Sequence, residues 1–174
     1  MPPRRLPSSV SIGTAYEMAV RHTLARQLQF ELSRVGGAHD RGVDLMGVTR
    51  TPQRLSLVVQ CKCESKKLSP RHVRELQGTL VQHLDSSGMT IALLASSQGF
   101  TSSTVAEAIA SRLPLSLVHI STNGTLHNCL FNNAASLLLG KAGLQLVKSF
   151  STARSPNSDG MDLVISLEQT KPST

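Results

Sequence analysis

From residue 55 to residue 120 the sequence alternates strand-like and helix-like segments, and that rhythm restricts the fold more than any other feature. "LSLVVQCKC" (55–63) has the apolar, β-branched content of a strand. Ser69-Pro70 is a hydroxyl cap followed by proline in the first helical turn, after which Val73, Leu76, Leu80 and Leu84 recur at helical spacing. Gly88 closes the connection, "TIALLAS" (90–96) is an apolar run of buried-strand length, "TSSTVAEAIASRL" (101–113) is a second capped helix, and "LSLVHI" (115–120) is another strand. Strands separated by helices imply parallel neighbours with the helices packed on the sheet. The expected fold class is α/β, a mixed central β-sheet flanked by helices.

Upstream, Ile12, Ala15, Tyr16, Ala19, Val20, Thr23, Leu24 and Leu28 predict an amphipathic helix from Ser11 to about Gln29. "FELSRV" (30–35) reads as a short strand and the Gly-rich "GGAHDRG" (36–42) as a loop. "VDLMGV" (43–48) is a strand that turns through "TRTPQR" (49–54) and returns as 55–63, in antiparallel pairing. Downstream, "NCLFNNAASLLLGKAG" (128–143) predicts a helix ending at Gly140 or Gly143. "LQLVKSF" (144–150) and "MDLVISLEQ" (161–169) predict two strands pairing as an edge hairpin, with "TKPST" frayed behind them. The chain thus divides into a flexible basic tail (1–10), a core (11–122) and a C-terminal extension of the same domain (123–174).

A length of 174 residues supports one domain with a real core. Without a run of ~18 uninterrupted apolar residues the chain reads as soluble, with no membrane partner. Lys plus Arg number 18 against 11 Asp plus Glu, a net charge of +7 that suits a polyanionic partner such as nucleic acid and, equally, a surface charged only for solubility. With no Trp, one Tyr and four Phe, a single-strand binder that works by stacking bases on aromatic side chains is disfavoured. Three cysteines make no disulfide framework, and His72 and His83 stand at no zinc-site spacing from Cys61 and Cys63. The cysteines read as small core residues in a reducing, intracellular compartment. "MPPRRLPSS" has no secretory core, and it lacks the long amphipathic stretch of a mitochondrial targeting segment, so it reads as a disordered tail.

Within "VVQCKC" strand alternation sends Val59, Cys61 and Cys63 to one face and Gln60 and Lys62 to the other. An amide and an ammonium side by side in an apolar strand need a reason. Asp44 begins the preceding strand, and the fifteen residues between it and Gln60 suffice for a strand, a turn and a return. Asp44, Gln60 and Lys62 are therefore expected to converge at one end of the hairpin, with Glu17 leaning in from the border of the first helix. Singly, an Asp after Gly is a turn residue and a Lys in a strand is solvated; the spacing is what points to chemistry. Two carboxylates, a neutral amide oxygen and an ammonium suit phosphodiester hydrolysis with Mg²⁺ or Mn²⁺ bound by hard oxygens. Lys62 then orients water or neutralises charge on the phosphate.

"GGAHDRGVDLMG", "VVQCKC" and "LSPRHVRELQG", with "GFTSSTVAEA" beyond, resemble the Mrr-like branch of the PD-(D/E)XK restriction-endonuclease superfamily. The resemblance covers roughly 11–120 and implies a restriction-endonuclease-like core. More narrowly, "YE", "DRGVDL", "VQCK" and "VRELQG" resemble the fungal mitochondrial family called required-for-respiratory-growth, which implies a mitochondrial location. Carried over, the resemblance makes Asp44 the metal-binding aspartate, Gln60 the substitute for the usual glutamate ligand, Lys62 the catalytic lysine and Glu17 the first-helix acid. It makes Asp40 a brace for the loop. Gln60 is a weaker, neutral ligand, so the site leans harder on Glu17.

The implied activity is a metal-dependent DNA endonuclease acting on double-stranded or structured DNA. Arg41, Lys66, Lys67, Arg71 and Arg74 would line the approach to the phosphates, and a homodimer would serve to cut both strands. The alternative is a catalytically inactive DNA-binding or structural member of the same fold. A small-molecule enzyme on an open α/β sheet is weaker, because neither a P-loop nor a G-x-G-x-x-G stretch is present.

Overall fold

A computed structural model describes residues 8–35, 42–51, 53–84, 87–151 and 162–170. The first helix, α1 (Ser9–Gln27), starts two residues earlier than its apolar spacing predicts because the Ser8 hydroxyl accepts from the Ser11 N–H and caps it. Residues 8–10, assigned to the flexible tail, are thus the cap and start of this helix, and residues 1–7 lie outside the described residues. Ile12 and Ala15 lie outside the core, and burial begins at Tyr16, continuing through Val20, Thr23 and Leu24.

Six strands follow in one mixed sheet: β1 (Phe30–Arg34), β2 (Leu45–Thr49), β3 (Ser56–Lys62), β4 (Thr90–Ser96), β5 (Leu115–Ile120) and β6 (Leu126–Phe131), in that spatial order. The first three pair antiparallel, β3–β4 and β4–β5 are parallel, and β6 closes the far edge antiparallel to β5. The parallel steps are made by α2 (Pro70–His83) and α3 (Ser102–Ala110), as the strand–helix rhythm requires. The expected antiparallel pair of 43–48 with 55–63 is present as β2 and β3. The expected mixed sheet flanked by helices is likewise observed.

β4 is buried along its whole length because it feeds two cores. Ile91, Leu93 and Ala95 join Tyr16, Val20, Leu24, Leu57 and Val59 on the α1 face. Ala92 and Leu94 join Val73, Leu76, Leu80 and Leu117 on the α2–α3 face.

Two expectations for the last third are corrected. Residues 128–131 are the end of β6, not helix; the helix α4 (Asn133–Lys141) starts only after Asn132. Leu130 and Phe131 pair with Leu117 and Ser116, so an open sheet edge captured the segment that composition alone assigned to a helix. The strands β7 (Leu144–Ser151) and β8 (Asp162–Gln169) do pair antiparallel, but as a separate two-stranded sheet rather than at the edge of the main one. α4 carries the chain onto the α1 face, where Leu144, Ile165 and Leu167 complete that core. The boundary drawn at 122 thus falls in the β5–β6 turn, inside the central sheet. Residues 171–174 lie outside the described residues. Among the described residues no helix is long and apolar enough to cross a membrane.

Candidate active site

Asp44 lies just before β2, and bonds to β3 and to the end of β1 are among those that fasten it. Its N–H donates to the Val59 carbonyl (2.9 Å) and its carbonyl accepts from the Val35 N–H (2.9 Å). Its Oδ2 accepts the Cys61 N–H at 2.6 Å. That last bond seats the carboxylate against β3 between Gln60 and Lys62. The hairpin thus brings together the three residues that the D-x15-Q-x-K spacing singled out.

Gln60 is only 5% exposed, and its Oε1 is buried without a hydrogen-bond partner. An unmet buried amide oxygen costs on the order of 1–3 kcal/mol. The amide lies under α2 and the end of the Gly-rich loop: a Cβ on Gly42 would stand 3.1 Å from Gln60 Nε2 and 3.5 Å from Thr79 Oγ1. Gly42 also has φ +79°, so glycine is required there for both space and backbone. Lys62 ends β3, half-buried, on the same face as Gln60, and its carbonyl accepts from the Ser97 N–H (3.2 Å).

Glu17 follows Tyr16, whose hydroxyl donates to the Ile120 carbonyl (2.9 Å) and pins α1 to the sheet. The Glu17 carboxylate is paired with the Arg34 guanidinium, which also reaches Thr14 Oγ1 at 3.3 Å. Arg34 is the residue that sequence reasoning missed. The Glu17 hydrogen bond and charge, with a smaller contribution from Asp44, raise its pKa, so it is electrostatically coupled to both carboxylates. Its only sequence signal is a charge at the end of a short strand; what aims it is the register of β1 on β2, which puts Arg34 opposite Leu45. The Cys61 thiol reports the same geometry. Burial raises its pKa most, Asp44 and Glu17 raise it further, and Lys62 opposes them. Both carboxylates and the ammonium therefore act on one point at the end of β3.

Among the described residues no group of three or more His, Cys, Asp or Glu could hold a metal ion. The donor chemistry that does fit a hard cation is the Asp44 carboxylate with the orphaned Gln60 oxygen, because Mg²⁺ keeps several waters and needs few protein ligands. Lys66, Lys67 and Arg71 are exposed, whereas Arg74 is paired with Glu107 on α3 (3.5 Å). Arg41 and Asp40 lie outside the described residues. His72 is buried and structural: its Nδ1 meets Ser69 and its Nε2 meets Glu64 (3.0 Å), bracing the connection from β3 into α2.

The family model described as Required for respiratory growth protein 7 matches residues 8–56 and 48–142. An uncharacterised mitochondrial protein of Schizosaccharomyces pombe is 36% identical over 71% of this chain and 50% of its own length. Mitochondrial Required for respiratory growth protein 7 of Candida glabrata is 27% identical over 75% of this chain and 71% of its own. The Saccharomyces cerevisiae protein of that name is 28% identical over 65% of each. The chain spans about half the length of the fission-yeast relative and about two thirds of the others just named. Among solved structures, the MspJI restriction endonuclease in complex with a 27-mer oligonucleotide aligns with 67% of this chain and 32% of its own, at 18% identity and a TM-score of 0.44. The chain belongs to the mitochondrial Required for respiratory growth protein 7 family.

Proposed function

We propose that this chain is a metal-dependent DNA endonuclease of the PD-(D/E)XK type. One observation carries the reading: Asp44 is bonded to the β3 backbone between Gln60, whose buried amide oxygen has no partner, and Lys62. A fold that leaves an acceptor unmet beside a fixed carboxylate keeps a coordination position in reserve. Asp44 and Gln60 would hold Mg²⁺ or Mn²⁺, with Glu17 adding negative charge from the α1 side. When bound, the ion polarises the scissile phosphate and acidifies a water. Lys62 donates to the attacking water or to the phosphate oxygens and offsets the charge that grows there. Lys66, Lys67 and Arg71 draw the DNA backbone toward this end of the sheet, so affinity should fall steeply with salt. Duplex affinity that is unchanged between low and moderate salt argues against that approach. A homodimer would present two such sites to a duplex.

The second reading is a non-cutting DNA-binding or structural protein of the same fold. The Arg34–Glu17 ion pair favours it, because a guanidinium already neutralises the first-helix acid. Single-turnover cleavage of labelled duplex, junction and single-strand substrates across a Mg²⁺ titration separates the two. The endonuclease reading expects wild-type cleavage that Asp44→Ala and Lys62→Ala each abolish. Cleavage by both variants at the wild-type rate would place the activity elsewhere, and no cleavage of any substrate leaves the non-cutting reading.

A further inference from the structure

Lys62, Ser96, His119 and Asn128 are successive register partners on β3, β4, β5 and β6. They form one row on the α2–α3 face, and the row beneath it is Gln60, Leu94, Leu117 and Leu130. The polar row therefore runs on from the candidate active site. Two strands away, roughly 10 Å from Lys62 at the usual strand spacing, it enters a cleft of about 220 Å³.

Phe100, Leu117 and Leu130 give this cleft an apolar floor, Gln98 and Asn128 give it amides, and Lys67 and His119 give it basic groups; among the described residues no acidic side chain lines it. Lys148 on β7 donates to Asn128 Oδ1 (3.1 Å) and adds a cation at the rim. The His119 ring is placed by two devices. Gly99, at φ +75°, lies against it so closely that a Cβ would stand 3.3 Å from Nδ1. Between the pairs His119–Asn128 and Ile120–Leu126, β6 carries one extra residue, His127. This bulge turns His127 onto His119, ring centroids 4.6 Å apart. Burial, then His127 and, less, Lys67 hold the His119 imidazole below its ordinary pKa, against a backbone hydrogen bond at Ser97. Basic groups gathered without a carboxylate suit a phosphate, and a flat apolar floor edged by amides suits a base.

We propose that this cleft is a nucleotide subsite: a base lies on Phe100, Leu117 and Leu130 with its polar edge toward Gln98 and Asn128, and its phosphate meets Lys67 and His119. The assignment rests on the reading of the chain as a DNA-acting protein and names where the strand goes next, one or two nucleotides beyond Lys62. A phosphate beside His119 favours the imidazolium, so nucleotide affinity should rise as pH falls below neutrality.

The test is a titration of the full chain, with ¹⁵N-labelled histidine, by deoxyadenosine monophosphate, inorganic phosphate and deoxyadenosine in separate arms without divalent metal. The nucleotide should shift the His119 and His127 resonances and bind about tenfold or more tighter than either fragment. Lys67→Ala, an exposed change that spares the core, and His119→Gln should each weaken it about tenfold. Lys141→Ala, an exposed change on α4 outside both sites, should leave it unchanged. Phosphate binding as tightly as the nucleotide would reduce the cleft to an anion site and overturn the assignment, as would histidine resonances that no arm moves. Binding seen in a chain that cuts nothing sinks the endonuclease and keeps the subsite; cleavage with a silent cleft does the reverse.

Discussion

Two buried amides, Gln60 within β3 and Asn132 at the cap of α4, stand in opposite conditions. Asn132 is 2% exposed and saturated. Its Nδ2 donates to the carbonyls of Ala108, Ser111 and Leu113, and its Oδ1 accepts from the N–H groups of Leu115 and Ala135. It ties the end of α3, the start of β5 and the cap of α4 into one knot. Gln60 is 5% exposed, yet its oxygen has nothing to accept. Burial is nearly equal, so burial does not separate the two amides; satisfaction does. Under the proposed function that open valence is the one a ligand fills, whereas Asn132 fills its own within the fold.

The comparison breaks most visibly in rate. Asp44→Asn retains an acceptor for the Cys61 N–H while losing the charge. Under the proposed function it should fold like the wild type and cut about 10²–10⁴-fold more slowly in single-turnover assays. An unfolded Asp44→Asn would mean that Asp44 belongs with Asn132. Next comes Asn132→Leu, which strands several backbone groups and should cost roughly 2–5 kcal/mol by denaturant unfolding. Gln60→Leu, a change of similar volume at the other amide, should stay within about 1 kcal/mol of wild type, because the buried oxygen it removes was unmet already. Equal losses from the two substitutions would erase the distinction.

Gln60→Glu sharpens it further. A charged ligand in place of the amide should hold or raise Mg²⁺ or Mn²⁺ affinity by up to about tenfold, or 1.4 kcal/mol, read by calorimetry. A fall in affinity would put Gln60 outside the metal's reach. The smallest effect is a pH dependence at His119. Its imidazole pKa lies below the ordinary value near 6.5, so the native state resists its protonation. That contribution to stability is present above pH ~6.5 and lost as pH falls through the folded value. His119→Gln should flatten the stability profile in that acid window.

Much of this was legible in the chain itself. The strand–helix rhythm of 55–120 and the D-x15-Q-x-K spacing placed Asp44, Gln60 and Lys62 at one end of a hairpin because they depend on local periodicity. A strand alternates its faces and a hairpin returns its end to its start whatever surrounds them. The resemblance of short motifs carried the family in the same way.

What only the tertiary structure decided involves partners far apart in sequence. Residues 128–131 became β6 because an unpaired edge of β5 was there to receive them. Arg34 met Glu17 because β1 registers on β2 and α1 crosses above it. His127 reached His119 through a one-residue bulge. The open valence on Gln60 emerged only when every neighbour was in place. Periodicity is set by bonds along the chain, whereas register, bulges and hydrogen-bond satisfaction are settled between segments, where no single segment carries the information.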